Sequence, residues 1–283
     1  MKLLSFETDN GPSWGICDEG GRVIDGVALT SGRFASLRAV LAAGALDEVA
    51  RQVRSAAPTL VLADLRLLPV IPDPGRILCI GLNYEEHRRE TNREPTGEPT
   101  VFLRTAGSQV GHGQPLIVPA ESHMLDYEGE IAIIIGRAGR RIAQADAWNH
   151  IAGYAPYNDA SVRDWQQHTT QWTPGKNFDG TGAFGPWMVT RGEIADGQEL
   201  TLTTRLNGQV VQQASTAQLI FGIPRLVHYI SRFATLQPGD VIVTGTPGGV
   251  GFKRNPPLFL KPGDIVEVEV SDVGCLSNPV QAG

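Results

Sequence analysis

One segment constrains this chain more than any other: Asp126-Tyr127-Glu128-Gly129-Glu130, followed at once by Ile131-Ala132-Ile133-Ile134-Ile135. The apolar run reads as a strand covered on both faces. Residues two apart on a strand point the same way, so Glu128 and Glu130 project together at the end of a buried element. Two such carboxylates repel, and removing them from water is costly unless something compensates. A divalent cation is the simplest compensation, and oxygen-only ligation suits Mg²⁺, Mn²⁺ or Ca²⁺. The other reading is a solvated strand end. Glu267-Val268-Glu269 carries the same spacing within the alternating run 265–270, where the acids are expected to face water.

A third carboxylate strengthens the metal reading. Residues 151–159 read as another strand, ending Asn158-Asp159. Pairing beside the first strand would bring Asp159 to the two glutamates, with Lys176 or Arg163 available to balance the excess negative charge. The alternative for Asp159 is the N-cap of a helix over 160–167.

Two further clusters carry chemistry-capable side chains. In Gly81-Leu82-Asn83-Tyr84-Glu85-Glu86-His87-Arg88-Arg89-Glu90-Thr91, a helical turn makes His87 and Glu90 neighbours at i,i+3. Such a pair can activate water; the same string also fits a plain polar surface helix. In Gly175-Lys176-Asn177-Phe178-Asp179, Lys176 either neutralises carboxylates and stabilises an enolate or is an ordinary exposed lysine. Gly180-Thr181-Gly182-Ala183-Phe184-Gly185 matches a dinucleotide-loop pattern, but a strand-like run follows where a helix is required. The glycine-rich stretch 245–251 lacks the Gly-Lys-Ser/Thr ending of a phosphate loop, yet lets backbone N–H groups approach a carboxylate.

Composition narrows the partners. The formal net charge is −6 and no basic block exceeds Arg140-Arg141, so no nucleic-acid partner is expected. No apolar run is long enough to span a bilayer. Three widely spaced cysteines and an N-terminus unlike a signal peptide lead to the expectation of a cytoplasmic protein.

Residues 1–70 mix short strand candidates with an Ala/Leu/Arg-rich helical stretch over 36–57 broken near Gly44, and read as a small N-terminal α+β accessory domain. The Pro- and Gly-rich segment 69–75 reads as a linker, and residues 71–283 as a β-rich catalytic domain. A helix is expected over 216–233, around Pro224.

Taken together, GLNYEEHRRET at 81–91, FLR at 102–104, DYEGEIAIIIG at 126–136, YNDASVRDWQ at 157–166, GKNFD at 175–179 and QPGDVIVTGTPGGVG at 237–251 resemble the fumarylacetoacetate hydrolase superfamily, in that family's order. The resemblance covers roughly residues 70 to 280 and points to the acylpyruvate and diketo-acid hydrolase-like branch. It implies a β-rich α+β fold, a rolled mixed β-sandwich, in a homodimer. It implies Mg²⁺ or Mn²⁺ on Glu128, Glu130 and Asp159, and catalytic His87, Glu90 and Lys176, with His87 and Glu90 on a segment that closes as a lid. Arg104, Gln166 and Thr246 match substrate-facing positions. The implied activity is hydrolysis of a C–C bond in a small 2,4-dioxo acid to pyruvate and a second acid. Isomerisation of a hydroxymuconate-type diacid, oxaloacetate decarboxylation and non-catalytic binding of a 2-oxo acid are the alternatives.

Overall fold

The strand bearing the two glutamates, Gly129–Ile135, is buried along its whole length and lies inside a twelve-stranded mixed sheet. The computed structural model describes residues 1–283. The two faces of this strand serve different cores. Ile131, Ile133 and Ile135 pack toward a second, five-stranded sheet through Leu202, Val266, Val268, Val270 and Leu276. Ala132 and Ile134 face a different cluster that includes Leu37, Val40, Leu41 and Val49 of the N-terminal helices. A run with no polar position is what such two-sided burial requires.

In the large sheet, Gly129–Ile135 pairs antiparallel with Ile151–Asn158 on one side and Val241–Val243 on the other. Ile77–Gly81 runs parallel to Val241–Val243, and Thr100–Arg104 closes that edge. The second sheet runs Gln209–Ser215, Thr201–Leu206, Ile265–Val270, Gly274–Ala282, with Leu116–Val118 added in parallel. Two sheets packed across an apolar core, both of them mixed, make the expected β-rich sandwich. The control pair behaves as read: Glu267 and Glu269 are half-buried and alternate with buried valines.

The boundary expected near residue 70 does not separate two cores. Lys2–Thr8 pairs with Met188–Thr190, so Gly11–Cys17, Arg22–Asp25 and Leu60–Val61 extend the same large sheet. Leu3, Trp14 and Ile16 share one apolar cluster with Ile134, Tyr157, Phe184 and Val243. Nor is 69–75 a free tether: Val70 and Ile71 are buried, and Ser5 Oγ donates to the Val70 carbonyl.

The helical expectations hold with shorter bounds. Leu37–Ala42 and Leu46–Val53 are separated at Gly44, which adopts φ +61°, a backbone region that suits glycine. The helix expected from 216 begins only at Ile223, with Pro224 in its first turn, and ends at Phe233. Proline fits a first turn because its missing N–H would have had no intrahelical acceptor.

Candidate active site

The three carboxylates converge. One oxygen from each of Glu128, Glu130 and Asp159 lies within 4.8 Å of the others, and all three residues are buried. Strand pairing accounts for this: Glu130 is opposite Tyr157, and Asp159 N–H donates to the Glu128 carbonyl at 2.8 Å. Asp159 caps no helix, since the following helix is Arg163–Gln166 with Val162 at its N-cap. Gly129 separates the glutamates because the second sheet crosses there. A Cβ at this position would meet Thr204 Oγ1 at 2.0 Å.

Cations surround two of the three acids. Lys176 Nζ lies 2.6 Å from both Glu128 Oε2 and Asp159 Oδ2. Arg163 contacts Glu128 Oε1 at 2.6 Å and Asp126 Oδ2 at 2.8 Å. Lys176 reaches inward because Gly175 lets its turn press against the preceding helix, where a Cβ would meet Gln166 N at 2.3 Å. Burial works against ionisation of Glu128, but Arg163 and Lys176, aided by His87, outweigh it and hold the carboxyl at about 2. Glu130 is the exception. It touches no cation and accepts only the Gly245 N–H, at 2.5 Å. Burial, together with the charges of Asp159 and Glu128, pushes its carboxyl well above the usual range.

This imbalance is a test of the metal expectation. Asp126, Glu128, Glu130 and Asp159 are four acids packed with three cations, Arg104, Arg163 and Lys176. The ionised cluster is short of positive charge, and the shortage falls on Glu130. An oxygen-only donor set with an unneutralised buried carboxylate fits a divalent cation.

Arg104 occupies a different place from the one expected. Its side chain is fully buried behind the acids, away from the cavity, donating to Asp159 Oδ1 at 2.7 Å, the Ala160 carbonyl and Thr181 Oγ1. It braces Asp159.

The cavity has a volume of about 560 Å³, within the ~300–1,000 Å³ usual for small-ligand sites. His87, Glu128, Glu130, Asp159, Gln166, Lys176 and Thr246 all line it. His87 and Glu90 sit on the helix Glu85–Glu90, and His87 Nδ1 is 2.7 Å from Glu90 Oε1. Leu82, at φ +58°, turns the chain out of the Ile77–Gly81 strand toward this helix. Asn83 fastens the turn, donating to the carbonyls of Phe221 and Thr244 and accepting from Phe221 N–H. The glycine-rich loop supplies N–H groups to protein carboxylates: Gly245 to Glu130 and Gly249 to Glu90.

Thr246 Oγ1 donates to the Gly129 carbonyl and accepts from Gln212 Nε2. Gln212 also accepts from Gly129 N–H and donates to the Pro247 carbonyl. It thereby ties the Glu-Gly-Glu strand to the loop beneath the cavity. Sequence reading missed Gln212, which stands in an unremarkable strand with no motif around it. Asp126 was read only as part of the acidic segment. It accepts from Gly251 and Phe252 N–H as well as from Arg163.

The family model described as "Fumarylacetoacetate (FAA) hydrolase C-terminal" matches residues 76–281. This chain belongs to the fumarylacetoacetate hydrolase family. Among curated relatives, oxaloacetate tautomerase fahd2, mitochondrial, of Xenopus laevis is 39% identical, over 99% of this chain and 90% of that protein. Human oxaloacetate tautomerase FAHD2A, mitochondrial, is 38% identical over 99% and 91%. Among solved structures, a fumarylacetoacetate hydrolase from Exiguobacterium antarcticum superposes with TM-score 0.83 at 33% identity, covering both chains fully. Maleylpyruvate hydrolase from Sphingobium sp. SYK-6, in complex with manganese(II) and pyruvate, does so with TM-score 0.82 at 28% identity, again over both whole chains. Members with tautomerase, isomerase and hydrolase in their names thus share this fold.

Proposed function

We propose that this protein is a divalent-metal-dependent enzyme that interconverts the keto and enol forms of a small 2-oxo diacid of the oxaloacetate type. The observation that carries the reading is the placement of His87, held from behind by Glu90, and the three-carboxylate cluster on one cavity. The choice of reaction is supported by the tautomerases' greater identity, 39% against 28% for the manganese-bound hydrolase.

Glu128, Glu130 and Asp159 would hold Mg²⁺ or Mn²⁺, which supplies a Lewis acid for the carboxylate and 2-oxo oxygen of the substrate. Glu90 fixes the His87 ring through Nδ1, leaving Nε2 as the nitrogen without a protein partner. From the keto form, Nε2 takes a proton from C3. The C–H electrons become the C2–C3 double bond, and the carbonyl π electrons move to the 2-oxo oxygen. Proton return to that oxygen completes the enol, and the reverse sequence regenerates the ketone. Lys176, clamped between Glu128 and Asp159, keeps positive charge beneath the developing oxyanion. A base oriented in this way contributes roughly 10²–10⁴-fold.

A second reading keeps the hydrolytic chemistry: the same pair activates water against the distal carbonyl of a 2,4-dioxo acid, with the enolate as leaving group. The orientation of Glu90 by the Gly249 N–H, which in turn fixes His87, favours it equally. One assay separates the two. Enolic oxaloacetate and an acylpyruvate are each supplied to the Mg²⁺- or Mn²⁺-loaded protein. Faster loss of enol absorbance without CO₂ or pyruvate supports tautomerisation. Pyruvate plus a second acid from the acylpyruvate alone supports hydrolysis, and CO₂ release from oxaloacetate would favour decarboxylation over both.

A further inference from the structure

Four lysine or arginine residues line the cavity, and they fall into two pairs. Arg163 and Lys176, on the floor, are buried and ion-paired with Asp126, Glu128 and Asp159. Arg93 and Lys253, at the mouth, are exposed, and neither side chain enters an ion pair. The site thus holds two cations whose charge no protein carboxylate neutralises.

Each is anchored near the chemistry. Arg93 lies three residues beyond Glu90, and Arg88 Nη1 donates to its carbonyl at 2.5 Å, fixing the backbone at the end of the His87 helix. Lys253 adjoins Phe252, whose ring lies 4.3 Å from the Arg163 guanidinium and 4.9 Å from Lys253 Nζ. Phe252 therefore bridges the floor cation and the rim cation. Both side chains have long flexible stems that can bend toward a bound anion.

We infer that Arg93 and Lys253 form a rim that receives the second, distal carboxylate of the substrate, and so select 2-oxo diacids over 2-oxo monoacids. The inference rests on the reading of the floor as the place where the 2-oxo acid end binds. A substrate held there by its reacting end presents any further carboxylate toward the mouth. Exposed cations at a cavity mouth act mainly by attraction and steering, so their contribution shrinks as salt rises.

The experiment uses the Mn²⁺-loaded full-length chain and the variants Arg93→Gln, Lys253→Gln and both together. Two matched acid pairs differ only in the distal carboxylate: oxaloacetate with 2-oxobutanoate for turnover, and 2-oxoglutarate with 2-oxopentanoate for equilibrium binding. In the double variant the diacid-to-monoacid preference falls about tenfold in both readouts, and most of the wild-type preference disappears at high salt. Equal losses for diacid and monoacid, or an unchanged preference, overturn the rim while leaving the floor intact. Wild-type protein that neither turns over nor binds any of the four acids overturns the underlying functional reading, and the rim with it.

Discussion

Gly249 N–H donates to Glu90 Oε2 at 3.0 Å, while the other oxygen of the same carboxylate holds His87 Nδ1 at 2.7 Å. A backbone donor from the glycine-rich loop thus sets the orientation of the candidate base through one intermediary. Replacing Glu90 with Gln keeps one acceptor but removes the carboxylate charge that holds the ring through Nδ1. The expected result is a fall in kcat of about 10²-fold with KM within a few-fold. Unchanged kcat in E90Q would remove Glu90 from the chemistry.

Arg104 offers a contrast. It lies behind Asp159 and out of the cavity, so Arg104→Met should act on the cluster and not on substrate affinity. Breaking a buried ion pair from one side costs roughly 3–5 kcal/mol. Thermal unfolding should show a large loss, and metal affinity should weaken with it. A variant of wild-type stability with a selectively raised KM would instead restore Arg104 to the substrate-facing role its motif position implies.

Gly129 should tolerate no side chain. A methyl group there would collide with Thr204 Oγ1 from the opposing sheet. Gly129→Ala is expected to destabilise by about 1–3 kcal/mol, as overpacking does, and to weaken metal binding by displacing its two flanking ligands. Denaturant unfolding with and without metal measures both effects. A fully stable alanine variant would mean that the sheets separate there at little cost.

Glu130 gives a pH prediction. Its carboxyl is raised by burial and by Asp159 and Glu128, so without metal it binds a proton at pH values where a solvated carboxylate has none. Coordination requires the ionised form. Metal uptake below the raised value therefore releases a proton, and affinity climbs with pH until Glu130 is ionised without help. Calorimetry in buffers of different ionisation enthalpy reads this release directly. Binding heats that do not depend on the buffer would contradict it.

The parts of this site that are legible in the sequence are those written in local spacing. The i,i+2 geometry of Glu128 and Glu130, the isoleucine run and the i,i+3 pair of His87 and Glu90 need only strand and helix periodicity. The N-terminal strands themselves are legible, at 2–8, 11–17 and 22–25, but not the sheet they join. That Leu3 pairs with Met188 is a contact across the whole chain, and a change in local composition carries no trace of it. Gln212 was invisible likewise, because its partners Gly129, Thr246 and Pro247 are distant in sequence. The motif string carries Arg104 alongside the acids, but a string does not say on which side of Asp159 a guanidinium lies.

The central claim is that Glu128, Glu130 and Asp159 grip one divalent ion. Glu130→Gln tests it most directly, because Glu130 touches no cation and its replacement breaks no ion pair. Titration of metal-stripped protein with Mn²⁺, followed by the signal of free Mn²⁺, should give one site per wild-type chain and a loss of affinity of at least about 100-fold in E130Q at unchanged folding stability. Wild-type affinity in E130Q, or no Mn²⁺ binding by the wild-type chain, would contradict the account.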